Sequence, residues 1–561
     1  MARLSKTGIM AASVTSSKSA GNRSPAIGLR RLNGRRIAPI GILIAVAILL
    51  LSAQASRAAD VPQQPKQLQS ADWQQKIDTL FGRFLVEPIA AVLYFDLGRI
   101  WSAATGQQTT TSIPFVVFWL IAGAAFFTVR LSLINFRGFW HALRLTKGDY
   151  DDPHDTGEVS HFQALSSALS GTLGLGNIGG VAIAIAAGGP GAIVWLIVAG
   201  LLGMASKFAE CTLGQMYRTV DPAGVVSGGP MRYLHAGLAD LGWPRTGRVL
   251  AIAFAVMCMG GAVGGGCAFQ VGQSLGLVRE QIPIFDRWPL MFGAVMALLV
   301  GVVIIGGIRR IAATAEKIVP LMCGLYMLAG LVIIAVNAQR VPEALAQIVR
   351  GAWQPSALYG GFLGVLVTGM KRAAFSNEAG IGSASIAHAA ARTDEPVREG
   401  LVALLEPFID TVVVCTLTGV VIVVTGVYDD AEFAGVNPAE LGARLTSASF
   451  ATVAPWFPKL LTVAVVLFAY STMISWSYYG ERCWSYLFGA RSSLVYKLVF
   501  LGFVLLGSIV TAGNVLDFSD LMIFSMALPN LVGVVLLSGR VSRALDDYWR
   551  RYRAGEFKPR R

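Results

Sequence analysis

Apolar stretches of similar length recur along the chain from Ile113 onward, and short polar loops separate them. A helix that crosses the hydrocarbon core of a bilayer needs about 20 apolar residues. A water-soluble core cannot absorb so many runs of this length, and 54% of the 561 residues are hydrophobic while only 14% are charged. The pattern therefore predicts an all-α polytopic membrane protein with about eleven transmembrane helices, over residues 113–134, 164–187, 191–213, 249–271, 289–308, 318–338, 358–390, 399–427, 456–479, 494–512 and 518–538.

Basic residues follow the apolar runs in alternation, which indicates the orientation of the chain. Clusters such as Arg137 with Arg144, and Arg309 with Arg310, fall in every second loop, and the tail 539–561 is also basic. Lys and Arg are enriched in cytoplasmic loops of membrane proteins. The net charge of +13 is therefore interpreted as a topology signal rather than a nucleic-acid surface. We expect a multi-pass inner-membrane protein with an outside mature N-terminus and a cytoplasmic tail at 539–561.

The N-terminus differs from the rest of the chain. Residues 1–59 combine a long basic segment, a short apolar run and small residues, which is typical of a signal peptide. An uncut signal anchor is the alternative. Residues 60–112 are mixed in composition and are predicted to form an extracytoplasmic extension ahead of the first span at 113–134.

The second and seventh predicted spans are interrupted by glycine and polar residues. Residues 170–180 hold five glycines, which make a poor continuous helix. Residues 375–383 place a carboxylate and several polar groups at membrane depth, where they are costly unless functional. The two segments are five spans apart, so 164–338 and 358–538 are predicted to form two five-helix repeats of opposite orientation with a transport site between them. Free amides at the first break make Gly174 and Gly176 candidates for binding a carboxylate.

Several blocks of residues resemble the alanine or glycine:cation symporter family. They include residues 168–172 with Gly174, Gly176 and Asn177, residues 188–192, 203–210, 375–383, 387–391 and 406–410, and the last block at 468–472 and 476–482. The resemblance covers roughly residues 113–540. It implies a LeuT-type fold, with one extra N-terminal span ahead of a 5+5 inverted repeat, and import of a small neutral amino acid, alanine or glycine, coupled to sodium by alternating access.

Some positions depart from the family pattern. Leu175 stands where the family often has Thr, so a hydroxyl near the substrate or ion is lost. In the fourth span the run 266–270 keeps Gln270 but not the Asn that the family tends to have, and Ser385 replaces a Pro. These differences bear on which amino acid is transported.

The resemblance also implies residues for substrate and ion. Gln270, a polar side chain deep in an apolar span, and Trp476 with Ser477 are assigned to the substrate beside Gly174, Leu175 and Gly176. For sodium, a hard cation that takes oxygen ligands, the expected set is the carbonyls near Leu173 and Gly176 and the hydroxyls of Ser471 and Thr472. The alternatives are helix packing by the glycines, a tie between two helices by Gln270 and an interfacial position for Trp476. For Ser471 and Thr472 the alternative is a hydroxyl bond within their own helix.

Charged residues within the spans are candidates for coupling or gating. Asn377 and Glu378 lie in the second interruption, where they either organise the unwound backbone, the preferred role, or take part in proton coupling. Glu406 and Asp410 share one helix face, and they either relay protons or pair with Lys371 or Arg372. Lys207 and Glu210 are expected to form an intracellular gate or a structural pair.

Other function classes fit less well. Proton coupling or a larger substrate such as glutamine is the main alternative, and a channel is a distant one because channel filters are built from rings of subunits. The sequence has no CxxC, no HExxH and no nucleophile–base set, so neither an enzyme nor a cofactor other than the sodium ion is expected.

Overall fold

The computed structural model describes residues 114–557 apart from 153, 223, 354–360, 434 and 511, together with Arg83, Asp96 and Pro559. Apart from Arg83 and Asp96, the predicted signal peptide and the extension 60–112 lie outside the described residues. The described part is almost entirely helical. Two short strands in the loop after α6, β1 (Thr219–Val220) and β2 (Val226–Ser227), pair antiparallel with Thr219 opposite Ser227.

The helices are numbered here in chain order, with the π-helical turns included in the helices that they interrupt. They are α1 (Phe115–Arg130), α2 (Ile134–Arg137), α3 (Phe139–Thr146), α4 (His161–Thr172), α5 (Gly176–Gly188), α6 (Ala192–Met216), α7 (Pro230–Ala239), α8 (Pro244–Gln281), α9 (Ile284–Arg287), α10 (Pro289–Ile304), α11 (Gly307–Val336), α12 (Val341–Trp353), α13 (Gly361–Asn377), α14 (Ala384–His388), α15 (Pro396–Thr425), α16 (Pro438–Ala451), α17 (Phe457–Phe488), α18 (Ser493–Leu506) and α19 (Ala512–Arg553).

Six described helices are long and apolar enough to cross a membrane, namely α6, α8, α11, α15, α17 and α19, and the bent pair α4–α5 makes a seventh. Two shorter apolar helices, α1 and α10, coincide with the predicted first and fifth spans. Helix α1 ends before residue 134 because Ser132 and Leu133 adopt positive φ angles, which a right-handed helix cannot contain. The count of eleven spans stays a prediction.

Helix α17 is the centre of the bundle. In its most apolar stretch 83% of residues are buried inside the protein, against 39% in α11. Tyr470, Trp476, Tyr478 and Tyr479 are all fully enclosed. Since α11 keeps much of its apolar surface on the outside, the burial pattern fits a protein that uses the bilayer as solvent for its outer helices.

Candidate functional site

The second predicted span is broken where the glycines indicate it. Helix α4 ends at Thr172, Leu173 leaves helical geometry at ψ 83°, and the π-helical turn Gly176–Gly180 begins α5. The two halves are bent by 53°. The prediction of a break at this position is confirmed.

The backbone of this first break is satisfied largely by Gln270 and Asn177. The Gly174 amide donates to Asn177 Oδ1 at 3.0 Å, and the Leu175 amide donates to Gln270 Oε1 at 3.0 Å. Gln270 Nε2 donates in turn to the Gly265 carbonyl at 2.9 Å, within a π-helical turn of α8. The expectation of a free Gly174 amide was wrong, because a side chain of the same break occupies it.

Glycine is required at position 174 by a close approach. A Cβ atom built there would lie 2.7 Å from Thr472 Oγ1 and 3.0 Å from Gln270 Oε1. A methyl group at this distance would displace both polar side chains. The position therefore brings α4–α5, α8 and α17 to a single point.

The seventh predicted span is also broken. Helix α13 ends at Asn377, and Glu378, Gly380 and Gly382 have φ angles of 55°, 88° and 93° before α14 begins at Ala384. Glu378 is a non-glycine residue in the left-handed region, which costs about 1–2 kcal/mol. Such strained positions concentrate at functional sites.

Side chains of the second break hold its own backbone. Asn377 Oδ1 accepts the Ala379 amide at 3.0 Å, and Ser385 Oγ donates to the Gly382 carbonyl at 2.7 Å. The Ser383 hydroxyl donates to Glu378 Oε2. These bonds agree with the role in backbone organisation that was preferred for Asn377 and Glu378.

A small cavity lies between the two breaks, and it is called the central cavity below. Glu378 and Gln270 supply polar groups to its wall, and Trp476 supplies an indole. Its lining residues are Gly171, Thr172, Gly174, Gly176, Gly265, Gln270, Phe375, Glu378, Thr472, Trp476 and Ile523. The cavity thus contains four of the six residues predicted to contact substrate: Gly174, Gly176, Gln270 and Trp476.

Trp476 is fixed at the centre of the site and is not an interfacial aromatic. The residue is 1% exposed, and its Nε1 donates to the Gly171 carbonyl at 3.2 Å and to Glu378 Oε1 at 3.1 Å. A Cβ atom at Gly266 would lie 2.3 Å from the Trp476 Cβ, so the glycines of α8 make room for the indole. Glu378 therefore has partners that the sequence did not reveal.

The remaining two predicted substrate residues, Ser477 and Leu175, are absent from the wall of the cavity. The Ser477 hydroxyl donates to the Ile474 carbonyl of its own helix at 2.8 Å. Leu175 is fully buried, and its amide donates to Gln270. The Ser477 hydroxyl is therefore bound within α17, and its assignment to the substrate stays a prediction.

Some of the predicted sodium ligands lie at the central cavity, and one is bound within its own helix. Thr472 Oγ1 lies 3.4 Å from the Leu173 carbonyl oxygen across the first break, and Gly176 lines the same cavity. Ser471 Oγ instead donates to the Phe468 carbonyl of its own helix at 2.9 Å. Two of the expected oxygen donors, from Leu173 and Thr472, are therefore adjacent and of the type that a hard cation binds.

Comparison with known proteins identifies the family. The model of the sodium:alanine symporter family matches residues 99–560. The chain belongs to this family. It is 41% identical over 429 residues to the sodium/alanine symporter AgcS of Methanococcus maripaludis, with 76% of this chain and 92% of that protein covered. It is 33% identical over 443 residues to the amino-acid carrier protein AlsT of Bacillus subtilis, covering 78% and 90%.

A solved structure shares the fold of this family member. The crystal structure of MhsT in complex with L-phenylalanine aligns with 70% of this chain and 93% of that chain at a TM-score of 0.50, with 15% sequence identity. The likeness places the chain among transporters of LeuT-type fold. The family is one of transporters and not a class of enzymes.

Both breaks are attached to adjacent residues of α15. Asn177 Nδ2 of the first break donates to Asp410 Oδ1 at 2.6 Å. From the second interruption, Asn377 Nδ2 donates to Thr411 Oγ1 at 2.9 Å and Ser376 Oγ donates to Asp410 Oδ2 at 2.9 Å. Asp410 and Thr411 lie in a π-helical stretch, Phe408–Cys415. Asp410 is thus a structural anchor of the site.

The other predicted charges have different partners from those expected. Lys371 Nζ lies 2.8 Å from Asp520 Oδ2, and Arg372 also pairs with Asp520, so the suggested pairing with Glu406 or Asp410 was wrong. Lys207 Nζ donates to Glu406 Oε2 at 3.1 Å. Its predicted pairing partner Glu210 instead accepts a bond from Asn530 Nδ2 at 2.7 Å.

No role was assigned from the sequence to His388 and Glu399, which are both buried close to Glu406. His388 Nε2 contacts Glu406 Oε1, and its Nδ1 lies 2.5 Å from Glu399 Oε1. A signal was available, since Glu399, Glu406 and Asp410 are spaced by seven and four residues and so share one helix face. That spacing indicates a common neighbour, which Glu399 and Glu406 share in His388, whereas Asp410 binds Asn177 and Ser376.

Proposed function

We propose that this protein is a secondary active symporter that moves a small neutral amino acid, alanine or glycine, together with sodium by alternating access. The observation that carries the proposal is the central cavity between two broken spans, in a member of the sodium:alanine symporter family. Broken helices at corresponding positions of two repeats are where such transporters bind substrate. The extra first span and the 5+5 repeat belong to the same proposal.

The cavity supplies complementary groups to both ends of an amino acid. Glu378 has the one carboxylate among the described residues that line it, and a carboxylate is suited to an ammonium group. Gln270 keeps a second N–H and a second lone pair beyond its bonds to Leu175 and Gly265. We assign the ammonium group to Glu378 and the carboxylate to Gln270 with the backbone at Gly176, since Asn177 already binds the Gly174 amide.

The walls of the cavity restrict the substrate side chain. Trp476, Phe375 and Ile523 surround the space with large apolar groups. A larger side chain meets these groups by direct clash, which is an effective way to reject it. The cavity therefore suits a methyl group or a hydrogen, as in alanine or glycine.

Sodium is placed at the Leu173 carbonyl and Thr472 hydroxyl, beside the substrate space. A cation there sits against both α4 and α17, so its binding stabilises the arrangement in which the substrate groups face each other. The ligand can shift the conformational equilibrium only by its preference for that arrangement. This linkage is the proposed basis of coupling.

The proposed location is the cell inner membrane with the basic end of the bundle inside. The basic end is defined as the part that carries Arg144, Arg218, Arg398 and Arg551. Arg218 donates to the carbonyls of Ala389 and Ala391 there, and Arg551 pairs with Glu395. Enrichment of Arg supports a cytoplasmic position.

The test is uptake of labelled alanine by purified protein in liposomes. An inward sodium gradient, an inward proton gradient and no gradient are compared, and glycine and glutamine are run beside alanine. We expect accumulation of alanine or glycine with sodium alone. Uptake driven only by protons, or by none of the gradients for any of the three amino acids, would overturn the proposal.

A further inference from the structure

Six titratable side chains, five of them buried, form a row of contacts that the transport proposal does not use, and this row is called the His–Glu chain. His388 is its centre, with Glu399 on one ring nitrogen and Glu406 on the other. Lys207 Nζ lies 3.1 Å from the far oxygen of Glu406, and His161 Nδ1 contacts the far oxygen of Glu399. In order, the members are Asp151, His161, Glu399, His388, Glu406 and Lys207.

The chain runs from the basic end of the bundle into its interior. Asp151 has a side chain that is 42% exposed, and its Oδ1 lies 3.8 Å from His161 Nε2. The five other side chains are at most 1% exposed. They belong to α4, α6, α14 and α15, so this single row of contacts joins four helices.

The geometry sets the number of protons that the chain holds. Both ring nitrogens of His388 face carboxylate oxygens, and a hydrogen bond needs one hydrogen between each pair. With both carboxylates ionised, His388 must carry two protons and a positive charge. Charges then alternate from Lys207 through Glu406 and His388 to Glu399. Loss of one proton leaves a ring lone pair against a carboxylate oxygen, which is repulsive.

The surroundings of His388 hold other charged and titratable groups. Helix α6 contributes Lys207, Glu210 and Cys211, and Arg218 follows it. The remaining groups are Glu378 in the second break, Tyr233 of α7, Tyr479 of α17, and Arg398 beside Glu399. Lys207 is bound to Glu406, so the proton on His388 is the one whose loss breaks the row.

We propose that the His–Glu chain is a proton-binding gate on the basic side of the central cavity. This proposal rests on the proposed function and on the proposed orientation in the membrane. With His388 doubly protonated, the chain holds α4, α6, α14 and α15 together and closes the route to the basic end. A proton that leaves by way of Glu399, His161 and Asp151 to solvent breaks the row and opens the route. Its ligand is a cytoplasmic proton, which regulates release and is separate from sodium coupling.

The first test is the pH dependence of sodium-driven alanine uptake, with equal pH on both sides between 6.0 and 8.5. We expect the initial rate of the natural protein to rise about fivefold toward the alkaline end of this range, since loss of the second proton of His388 breaks its contacts with the two carboxylates. His388→Gln, which cannot carry the second proton, is expected to give a flat profile. An unchanged profile in His388→Gln would overturn the proposal.

His141→Gln is the matched control. His141 lies in α3 outside the spans, bonded to Tyr548 at 2.7 Å. Burial, with Arg144 and Arg398 nearby, lowers the pKa of His141 to about 4. It is therefore neutral throughout the range tested, and this variant is expected to keep the natural profile. A flat profile in this control would show that the pH effect does not belong to His388.

The second test does not depend on transport. Cys211 lies within 4.8 Å of the ligand atoms of His388 and Glu406 and is fully buried. With the other five cysteines replaced by serine, its labelling by N-ethylmaleimide reports opening of the gate. At pH 7, His388→Gln and Glu399→Gln are expected to label about fivefold faster than the parent. Equal rates in folded variants would overturn the gate, whereas absent uptake with faster labelling would overturn only the proposed function.

Discussion

The two breaks around the central cavity are built in different ways. In the first break, at Leu173–Leu175, the Leu175 amide is bound by Gln270 of another span, and Thr472 of a third span lies against the Leu173 carbonyl. In the second, Asn377 and Ser385 bind amides and carbonyls a few residues away. The first break therefore takes more of its support from other spans, while the second binds most of its own backbone and takes one bond from another span, from Asn530 of α19 to the Gly380 carbonyl.

This difference assigns separate tasks to the two breaks. A break held by other spans changes when those spans move, so it is suited to sensing ion and substrate. A break that binds most of its own backbone depends less on such movement, so we expect it to keep presenting Glu378 to the cavity. Each prediction below tests this contrast.

Replacing Gln270 by Ala is expected to have the largest effect. The change leaves the Leu175 amide and the Gly265 carbonyl without their partner, and each unpaired buried group costs about 1–3 kcal/mol. We expect sodium-driven uptake to fall about 100-fold, since 1.36 kcal/mol corresponds to about tenfold. Gln347→Ala, at an exposed position of α12, is the control. Uptake within threefold of the natural protein in Gln270→Ala would mean that the first break does not depend on α8.

Thr472→Val should separate the two hydroxyls predicted to bind sodium. Valine keeps the shape of threonine but removes the oxygen that faces the Leu173 carbonyl. We expect the sodium concentration for half-maximal uptake to rise about tenfold, the loss of one bond to a charged group. Ser471→Ala removes a hydroxyl bonded to its own helix, and its effect should be much smaller. The reverse order would show that Ser471 is the ligand.

Asn377→Ala tests the self-supported break. The Ala379 amide loses its acceptor, at a cost of about 1–3 kcal/mol. Because the defect lies in the backbone of the break, we expect a lower melting temperature and about threefold slower maximal uptake. The alanine concentration for half-maximal uptake should not change. Asn337→Ala, where the side chain bonds to its own helix, is the control. A large rise in the half-maximal alanine concentration would place Asn377 in contact with substrate.

Ser477→Ala should have the smallest effect. Its hydroxyl is bonded to the Ile474 carbonyl of α17, and such bonds within a helix add little. We expect uptake rates and half-maximal concentrations within about twofold of the natural protein. A tenfold loss of alanine affinity would return Ser477 to the substrate site.

Both breaks could be predicted from sequence because glycine and polar residues in an apolar run are local signals. Gly174 and Gly176 in the first break and Glu378 in the second needed no knowledge of neighbours. Gln270 and Trp476 were placed at the cavity by resemblance, since only the family pattern links them to Leu175 and Glu378, which lie 95 and 98 positions away.

The contacts of the charged residues could not be predicted in the same way. His161 and Glu399 are 238 positions apart, and Lys207 and Glu406 are 199 apart. A single sequence shows that such groups need partners in the membrane but not which partners the packing brings near. From the sequence alone, Asp520 is as good a partner for Lys207 as for Arg372. The pairing predicted for Arg372 was wrong because the packing of the helices could not be predicted.

The attachment of both breaks to Asp410 and Thr411 bears on the efficiency of energy conversion. A symporter dissipates its ion gradient when the ion crosses the membrane without the substrate, an event known as slip. Asn177 of the first break is bonded to Asp410, and Asn377 of the second break is bonded to Thr411, the next residue of α15. Because of this link, we expect a movement of one break to be transmitted to the other. We therefore expect the stretch Phe408–Cys415 to limit slip through Asp410 and Thr411, two adjacent residues that are not among those lining the central cavity.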